Sequence, residues 1–409
     1  MLKVADALHE AGYRVTMISA RFMDWAWEAD LELRKTRSWK WIHIDHTRTT
    51  APGNWILSGT EHRLARYAAG AAGANRLPLP VAAAAYGRIH SLLVNAAVQE
   101  DADLYYGGTA GTLAATARAA AKTGKPYALD LEDFHSAEHD ETPSGTLDNQ
   151  LARRIETAIL PQARFLTTAG TTMGKAYVDA YGFDPIPINN VSPLPSQEPD
   201  FERAPTDALR LYWFGQTIGI DKQLQLIVQA VGKAQIPADL HIRGRVLPGC
   251  GEYLRTLTAE AAPGIRLIIS EPATPSQMVD LCRPHDIGLS MFVHSPVLNW
   301  NIALGNKTLT YLAAGLAIAL SDTPGHQLLK HDLLPDCVLY KSGDYDSLAR
   351  GLKRMWEDPA ALRRARKASW EAARRRWHWE HQLERGAVLD AVASAVSPAP
   401  ARDEAEITP

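Results

Sequence analysis

The chain repeats one rhythm: a short apolar run, a loop, then a stretch with helical periodicity. In the first half, residues 14–19 (RVTMIS) read as a buried strand, preceded by a helix over residues 5–11 that stops at Gly12. Residues 104–106 form the next apolar run, followed by Gly107, Gly108 and an alanine-rich helix over residues 113–123. Gly124 and Pro126 close that helix before a strand over residues 127–131 (YALDL). A strand over residues 165–168 and a helix over residues 173–181 continue the series. Strands alternating with helices at this spacing predict a parallel sheet covered on both faces.

Residues 191–207 contain four prolines and few apolar positions, the composition of a linker. Beyond them the rhythm restarts. Strands are predicted over residues 209–214, 239–242, 265–270, 287–291 and 317–320. Helices are predicted over residues 223–233, 254–260, 276–281 and 307–314. The expected fold is α/β, with two Rossmann-like, doubly wound parallel-sheet domains facing across a ligand cleft at the C-terminal edges of their sheets. The domains expected are residues 1–195 and 205–370. A C-terminal helix over 371–395 packs back toward the first domain, and 396–409 forms a disordered tail.

Composition narrows the function classes. The chain has 409 residues, enough for two cores, and 46% of them are hydrophobic and 22% charged, the balance of a folded protein. A formal net charge of −3 supplies no global field for nucleic acid or an acidic membrane. Cys250, Cys282 and Cys337 match neither a zinc spacing nor a disulfide framework, which fits a reducing cytosol. With no spanning apolar run and no signal peptide, the expected location is the cytoplasm, with at most peripheral contact at the inner face of a membrane. Arg374, Arg375 and Arg376, beside Trp377 and Trp379 in the basic stretch 360–393, read as a solvated helix with aromatic anchors, not a nucleic-acid site.

Three segments carry candidate chemistry. The first runs Asn306-Lys307-Thr308-Leu309-Thr310-Tyr311-Leu312-Ala313-Ala314-Gly315 and continues through a strand into Ser321-Asp322-Thr323-Pro324-Gly325. Its start is a helix N-terminus facing the cleft, where free amides, the dipole and Lys307 suit a diphosphate. The same pattern is also an ordinary helix–turn–strand. The second is Gly215-Gln216-Thr217, with Lys222 beyond it. A glycine after the first strand of a Rossmann-like unit lets the backbone approach a phosphate. Arg243, at the end of the following strand, either adds a cation here or is a surface arginine. The third is Asp130-Leu131-Glu132-Asp133-Phe134-His135-Ser136-Ala137-Glu138, dense in carboxylates just past a strand end. Such a segment belongs in a cleft or on the surface. Glu132, Asp133 and His135 are candidate general bases. A solvated loop and a metal site are the rival readings. Gly107, Gly108 and Thr109 are placed on the same floor.

These segments together resemble the retaining GT-B nucleotide-sugar glycosyltransferases (glycosyltransferase family 4-like, group 1). That family commonly shows Asn-Lys-x-x-Glu-Tyr-x-x-Ala-Gly, an apolar strand, then Ser-Asp-x-x-Gly. The match falls on Asn306, Lys307, Tyr311, Ala314, Gly315, Ser321, Asp322 and Gly325. Thr310 stands where a ribose-binding glutamate is usual, Ile302 where its upstream acidic partner is usual, and Gln216 where a diphosphate-binding arginine is usual. The resemblance also calls for a strand and a glycine-rich loop before the helix at residues 5–11, whereas the sequence opens inside that helix.

The resemblance implies a donor domain at residues 205–370 and an acceptor-side domain at residues 1–195. It implies transfer of a sugar from a UDP- or GDP-linked donor to a glycan, lipid-linked or small-molecule hydroxyl, with retention. Gly215, Gln216, Thr217, Lys222, Arg243, Asn306, Lys307, Thr310 and Tyr311 would bind the donor, with no metal and no cofactor. Two alternatives remain open: a catalytically inactive glycosyltransferase-like partner, which the departures at Thr310, Ile302 and Gln216 favour, and a sugar-nucleotide epimerase.

Overall fold

The computed structural model describes residues 1–397 except 22, 23, 205, 292–294, 296 and 385. The tail expected at 396–409 therefore lies, beyond Ser397, outside the described residues.

The first half runs α1 (Leu2–Glu10), β1 (Thr16–Ala20), α2 (Asp24–Lys35), β2 (Lys40–Ile44), α3 (Pro52–Ala72), α4 (Leu79–Tyr86) and α5 (His90–Ala97). It continues through β3 (Tyr105–Gly108), α6 (Ala110–Thr123), β4 (Tyr127–Leu131), α7 (Pro143–Ile159), β5 (Leu166–Thr168), α8 (Thr171–Tyr181) and β6 (Ile186–Pro187). Every pairing is parallel, but the strands form two sheets, β1-β2 and β3-β4-β5-β6. The single sheet expected here is thus in two parts. The strand that the resemblance places before α1 has no counterpart among the described residues. The sequence reading also missed β2 and the helices α2 to α5. Lys40-Trp41-Ile42-His43-Ile44 is interrupted by polar residues and buries only its last residue, a weaker signal than a continuous apolar run.

The second half runs β7 (Leu209–Ile218), α9 (Leu224–Ala234), β8 (Ala238–Val246), α10 (Cys250–Ala261), β9 (Ile265–Ser270), α11 (Met278–Cys282) and β10 (Ile287–Ser290). There follow α12 (Leu298–Ile302), α13 (Asn306–Ala314), β11 (Ala317–Ser321), α14 (Pro324–Gln327), α15 (Lys330–Leu333), β12 (Val338–Tyr340), α16 (Tyr345–Glu357) and α17 (Pro359–Arg375). The sheet order is β12-β11-β10-β7-β8-β9, all parallel. This is the doubly wound order, and its direction reverses between β7 and β10. A crevice therefore opens beyond the carboxyl ends of those two strands, where such sheets bind ligands.

The basic stretch after residue 360 is three helices: α17, α18 (Trp379–Glu384) and α19 (Ala387–Val396). Arg375 and Arg376 each place a guanidinium nitrogen 2.5 Å from the carboxylate of Asp332, and the Trp377 indole donates to the same carboxylate at 2.9 Å. These arginines are thus occupied within the fold. The Trp379 amide donates to the Ser192 carbonyl at 2.9 Å, and Glu380 accepts from the Leu194 amide at 3.0 Å, which ties α18 to the linker.

Helix α13 lies close on β10 because Gly288 has no side chain. A Cβ there would stand 2.3 Å from the Tyr311 ring, which is fully buried. Gly288→Ala is expected to cost about 2–3 kcal/mol through overpacking, measured by urea denaturation. Combining it with Tyr311→Leu should recover part of that loss.

Candidate functional site

The site assembles around α13. Its N-cap, Gly305, offers no side chain to the first turn, and although the Thr308 amide donates to the Gly305 carbonyl at 3.0 Å, the Asn306 and Lys307 amides have no cap. Asn306 is exposed at that end. Lys307 is half-buried and places its ammonium 5.2 Å from the centre of the Trp213 ring. It makes no hydrogen bond or ion pair among the described residues. Burial, and next the nearby Lys222 ammonium, push the Lys307 pKa down to about 8. A desolvated ammonium in the first turn of a helix, with the field of a second ammonium on it and no carboxylate assigned to it, favours an anion.

The floor beneath them is the end of β7. The register of β7 against β8 shifts between Phe214 and Thr217, so Gly215 and Gln216 form a bulge. A side chain at Gly215 would collide with the Trp213 ring at 2.5 Å. Gln216 is exposed, Thr217 partly so, and Lys222 ends a short 3-10 turn just beyond. Gly215, Gln216 and Thr217, with Lys222 just beyond, thus stand at the carboxyl end of β7, and the Lys307 ammonium over the Trp213 ring brings the start of α13 against that strand.

Three other expected donor residues, Tyr311, Thr310 and Arg243, are placed differently. Tyr311 is fully buried with its hydroxyl 3.3 Å from the Tyr212 carbonyl, so it packs the core and has no surface for a donor. The Thr310 hydroxyl donates to the Asn306 carbonyl one turn back at 2.9 Å, and the residue is only 9% exposed. Arg243 is committed to the Tyr212 hydroxyl at 2.9 Å and the Glu271 carbonyl at 2.7 Å, a bracing role at the exit of β9. Ile302 packs in the hydrophobic core of the first domain, which accounts for an apolar residue there.

A buried histidine that the sequence reading missed fixes the first turn of α13. His326 donates from Nδ1 to the Ser321 carbonyl at 2.9 Å, which leaves Nε2 to accept from the Ser290 hydroxyl at 2.9 Å. The Ser290 hydroxyl is also bonded to that of Thr308 on α13. Burial lowers the His326 pKa to about 4, so the ring is neutral at physiological pH. Next to it, Gly325 lets the backbone at Ala303 approach to where a Cβ would stand 2.1 Å from its carbonyl.

From the first domain, the carboxylate loop reaches the same junction. Asn299 on α12 is 5% exposed. Its Oδ1 accepts from the Phe134 amide at 2.8 Å and its Nδ2 donates to Asp133 Oδ1 at 2.9 Å. The Thr172 hydroxyl donates to the Ile302 carbonyl at 2.7 Å. Burial raises the Asp133 pKa against the opposing bond from Asn299, with Glu138 adding to the rise. Glu132 is the exposed carboxylate of the loop, and partial desolvation, then Asp133 and Asp130, raise its pKa.

His135 lies 2% exposed beneath the loop, its Nδ1 2.8 Å from Glu138 Oε2. Burial opposes its charged form, but Glu138, Glu156 and Asp133 outweigh that and raise its pKa. It is a supporting group, not one that faces the cleft. Gly107 is likewise closed off, because a Cβ there would meet the Thr116 hydroxyl at 1.9 Å. Gly108 lies against the Asp130 side chain, and Thr109 is exposed with a φ of 73° at the start of α6. Among the described residues no group of three or more His, Cys, Asp or Glu side chains is arranged to hold a metal ion.

Two outcomes test this geometry. Asn299→Leu leaves the Phe134 amide and Asp133 without their partner and should cost about 1–3 kcal/mol in urea denaturation. Lys307→Met should stabilise the protein at pH 7 by about 1 kcal/mol, since it removes a desolvated charge. The sign with pH follows. In the folded chain Lys307 releases its proton near pH 8, and in the unfolded chain near the ordinary lysine value of 10.5. The wild type should therefore approach the variant in stability as pH rises between those values.

No protein-family model and no curated sequence matches the chain. Solved structures do. HepE from Anabaena, in complex with UDP-glucose, is 14% identical with a TM-score of 0.66, over 96% of this chain and 95% of that one. A glycosyltransferase from Rickettsia africae is 10% identical with a TM-score of 0.64, over 97% and 94%. Sucrose-phosphate synthase from Thermosynechococcus elongatus is 13% identical with a TM-score of 0.64, over 96% and 92%. The likeness extends over both domains, and the chain has the GT-B fold of these proteins.

Proposed function

We propose that the protein is a glycosyltransferase that moves a sugar, with retention, from a UDP- or GDP-linked donor to a hydroxyl of a glycan, lipid-linked or small-molecule acceptor. The observation that carries this reading is the Lys222–Lys307 pair at the open N-terminus of α13. A diphosphate there gains two cations and the first-turn amides, and these groups strengthen as charge develops on the leaving group. That HepE is solved with UDP-glucose supports the same use of the same fold.

In this reading Gly215, Gln216 and Thr217 cradle the diphosphate, and Asn306 meets the donor beside it. Glu132 and Asp133 stand across the junction as the groups that receive the acceptor proton. Glu132 is the exposed member and Asp133 the one fixed by Asn299. His135 positions Asp133's loop from below. The chain's own cations offset the leaving charge, and no cofactor takes part. A cytoplasmic location, at the inner face of a membrane, belongs to the same proposal; among the described residues no helix is long and apolar enough to cross one.

A second reading, an inactive partner that binds a donor weakly, is favoured by Thr310, whose hydroxyl is spent on Asn306, and by Ile302, which is buried in the first domain. Incubation with a panel of UDP- and GDP-sugars separates the two. An enzyme releases the nucleoside diphosphate, and Lys307→Met should reduce kcat/KM by about a hundredfold. Product anomers read by proton NMR should match the donor's configuration. Binding without turnover across the panel establishes the inactive partner instead.

A further inference from the structure

Helix α3 has its side chains the opposite way round from a usual surface helix. Its inward face carries Ser58, Gly59, Ala65 and Ala69, all buried, and packs on the buried alanines of α4. The large apolar residues point outward: Ile56 is 56% exposed, Leu57 67%, Leu64 66% and Tyr67 79%. Among the described large apolar residues, only Ile220 is otherwise more than half exposed. Their spacing puts all four on one side of the helix. An amphipathic helix normally turns such residues to the core, and a contiguous outward stripe marks an interaction surface.

The charges around the stripe are mostly basic. Arg63 lies within it and makes no hydrogen bond or ion pair among the described residues. Arg48 and Arg88 stack on the Trp55 ring at 5.7 and 5.4 Å, and neither is in an ion pair among the described residues. The Nη2 atoms of Arg88 and Arg63 come within 3.0 and 3.4 Å of the point where a Gly59 side chain would begin, so both converge on one turn. Glu61, the acidic residue nearby, is turned to the Ser91 hydroxyl at 2.5 Å.

We propose that this face of α3 docks on an anionic lipid bilayer, which deepens the membrane-face location proposed above by naming the surface that makes the contact. The helix lies in the headgroup plane. Ile56, Leu57, Leu64 and Tyr67 enter the acyl boundary, and Arg48, Arg63 and Arg88 meet lipid phosphates. With Glu61, His62, Arg63 and Arg66 along its length, it lies on the membrane and does not cross it. A second copy of the chain is the poorer occupant. A two-fold contact through this stripe would bring the same unpaired arginines together.

The test uses the full chain in flotation with vesicles of phosphatidylcholine and phosphatidylglycerol, and with vesicles of phosphatidylcholine alone. The wild type should float with the mixed vesicles, be released by salt, and stay unbound to phosphatidylcholine. Leu57→Glu/Leu64→Glu and, separately, Arg63→Glu/Arg88→Glu should each weaken binding by about tenfold or more. Circular dichroism melts check that both variants fold, and nucleotide-sugar binding should be unchanged in them. The proposal is overturned if the wild type ignores the mixed vesicles or if folded variants bind as well as the wild type. It is equally overturned if light scattering shows a dimer that Leu57→Glu/Leu64→Glu dissociates while no form binds lipid.

Discussion

One buried amide side chain decides where the two halves of the site stand. Asn299 spends its oxygen on the Phe134 amide and its nitrogen on Asp133, so the carboxylate loop of one domain is registered on a helix of the other. Four residues after α12 ends, α13 begins, with Lys307 in its first turn. Ile302 and the Thr172 bond add an apolar and a polar hold on the same short segment. The carboxylate loop and the first turn of α13 are thus tied to one short connector, residues 299–306.

The second governing feature is an uncompensated charge. A half-buried ammonium beside a second ammonium lowers stability, and a sequence selected for folding alone has no reason to hold it. Here it is retained at the end of β7, on the Trp213 ring, with the neutral His326 network fixing the turn that carries it. A dianionic ligand supplies what that arrangement lacks. Strain of this kind at the switch point of a doubly wound sheet is where function is expected.

The second domain was legible because its strands are buried on both faces. They read as near-continuous apolar runs, with Gly215 and Lys222 at the end of the first of them and Lys307 at the start of a helix. The first domain was less so, since polar residues interrupt β2 and α3 turns its apolar residues outward, against the rule used to find helices. Within the site, backbone-level features such as the glycine turn and the helix N-terminus could be seen in the sequence. Side-chain fates could not: Tyr311 and Arg243 turn inward because of what packs on them, namely Gly288 and Tyr212. Asn299 and His326 gave no local signal, since their partners lie 165 residues away in the first case and across a strand in the second.

The central claim is that Lys307 receives a nucleoside diphosphate. Calorimetric titration of UDP and GDP at a pH near the Lys307 value of about 8, in buffers of different ionisation heat, tests it most directly. The account predicts that one of the two binds with uptake of a proton, as the ligand restores the charged lysine, and that Lys307→Met loses both the uptake and most of the affinity. Absence of binding by both nucleotides, or binding that is unchanged in Lys307→Met, would contradict it.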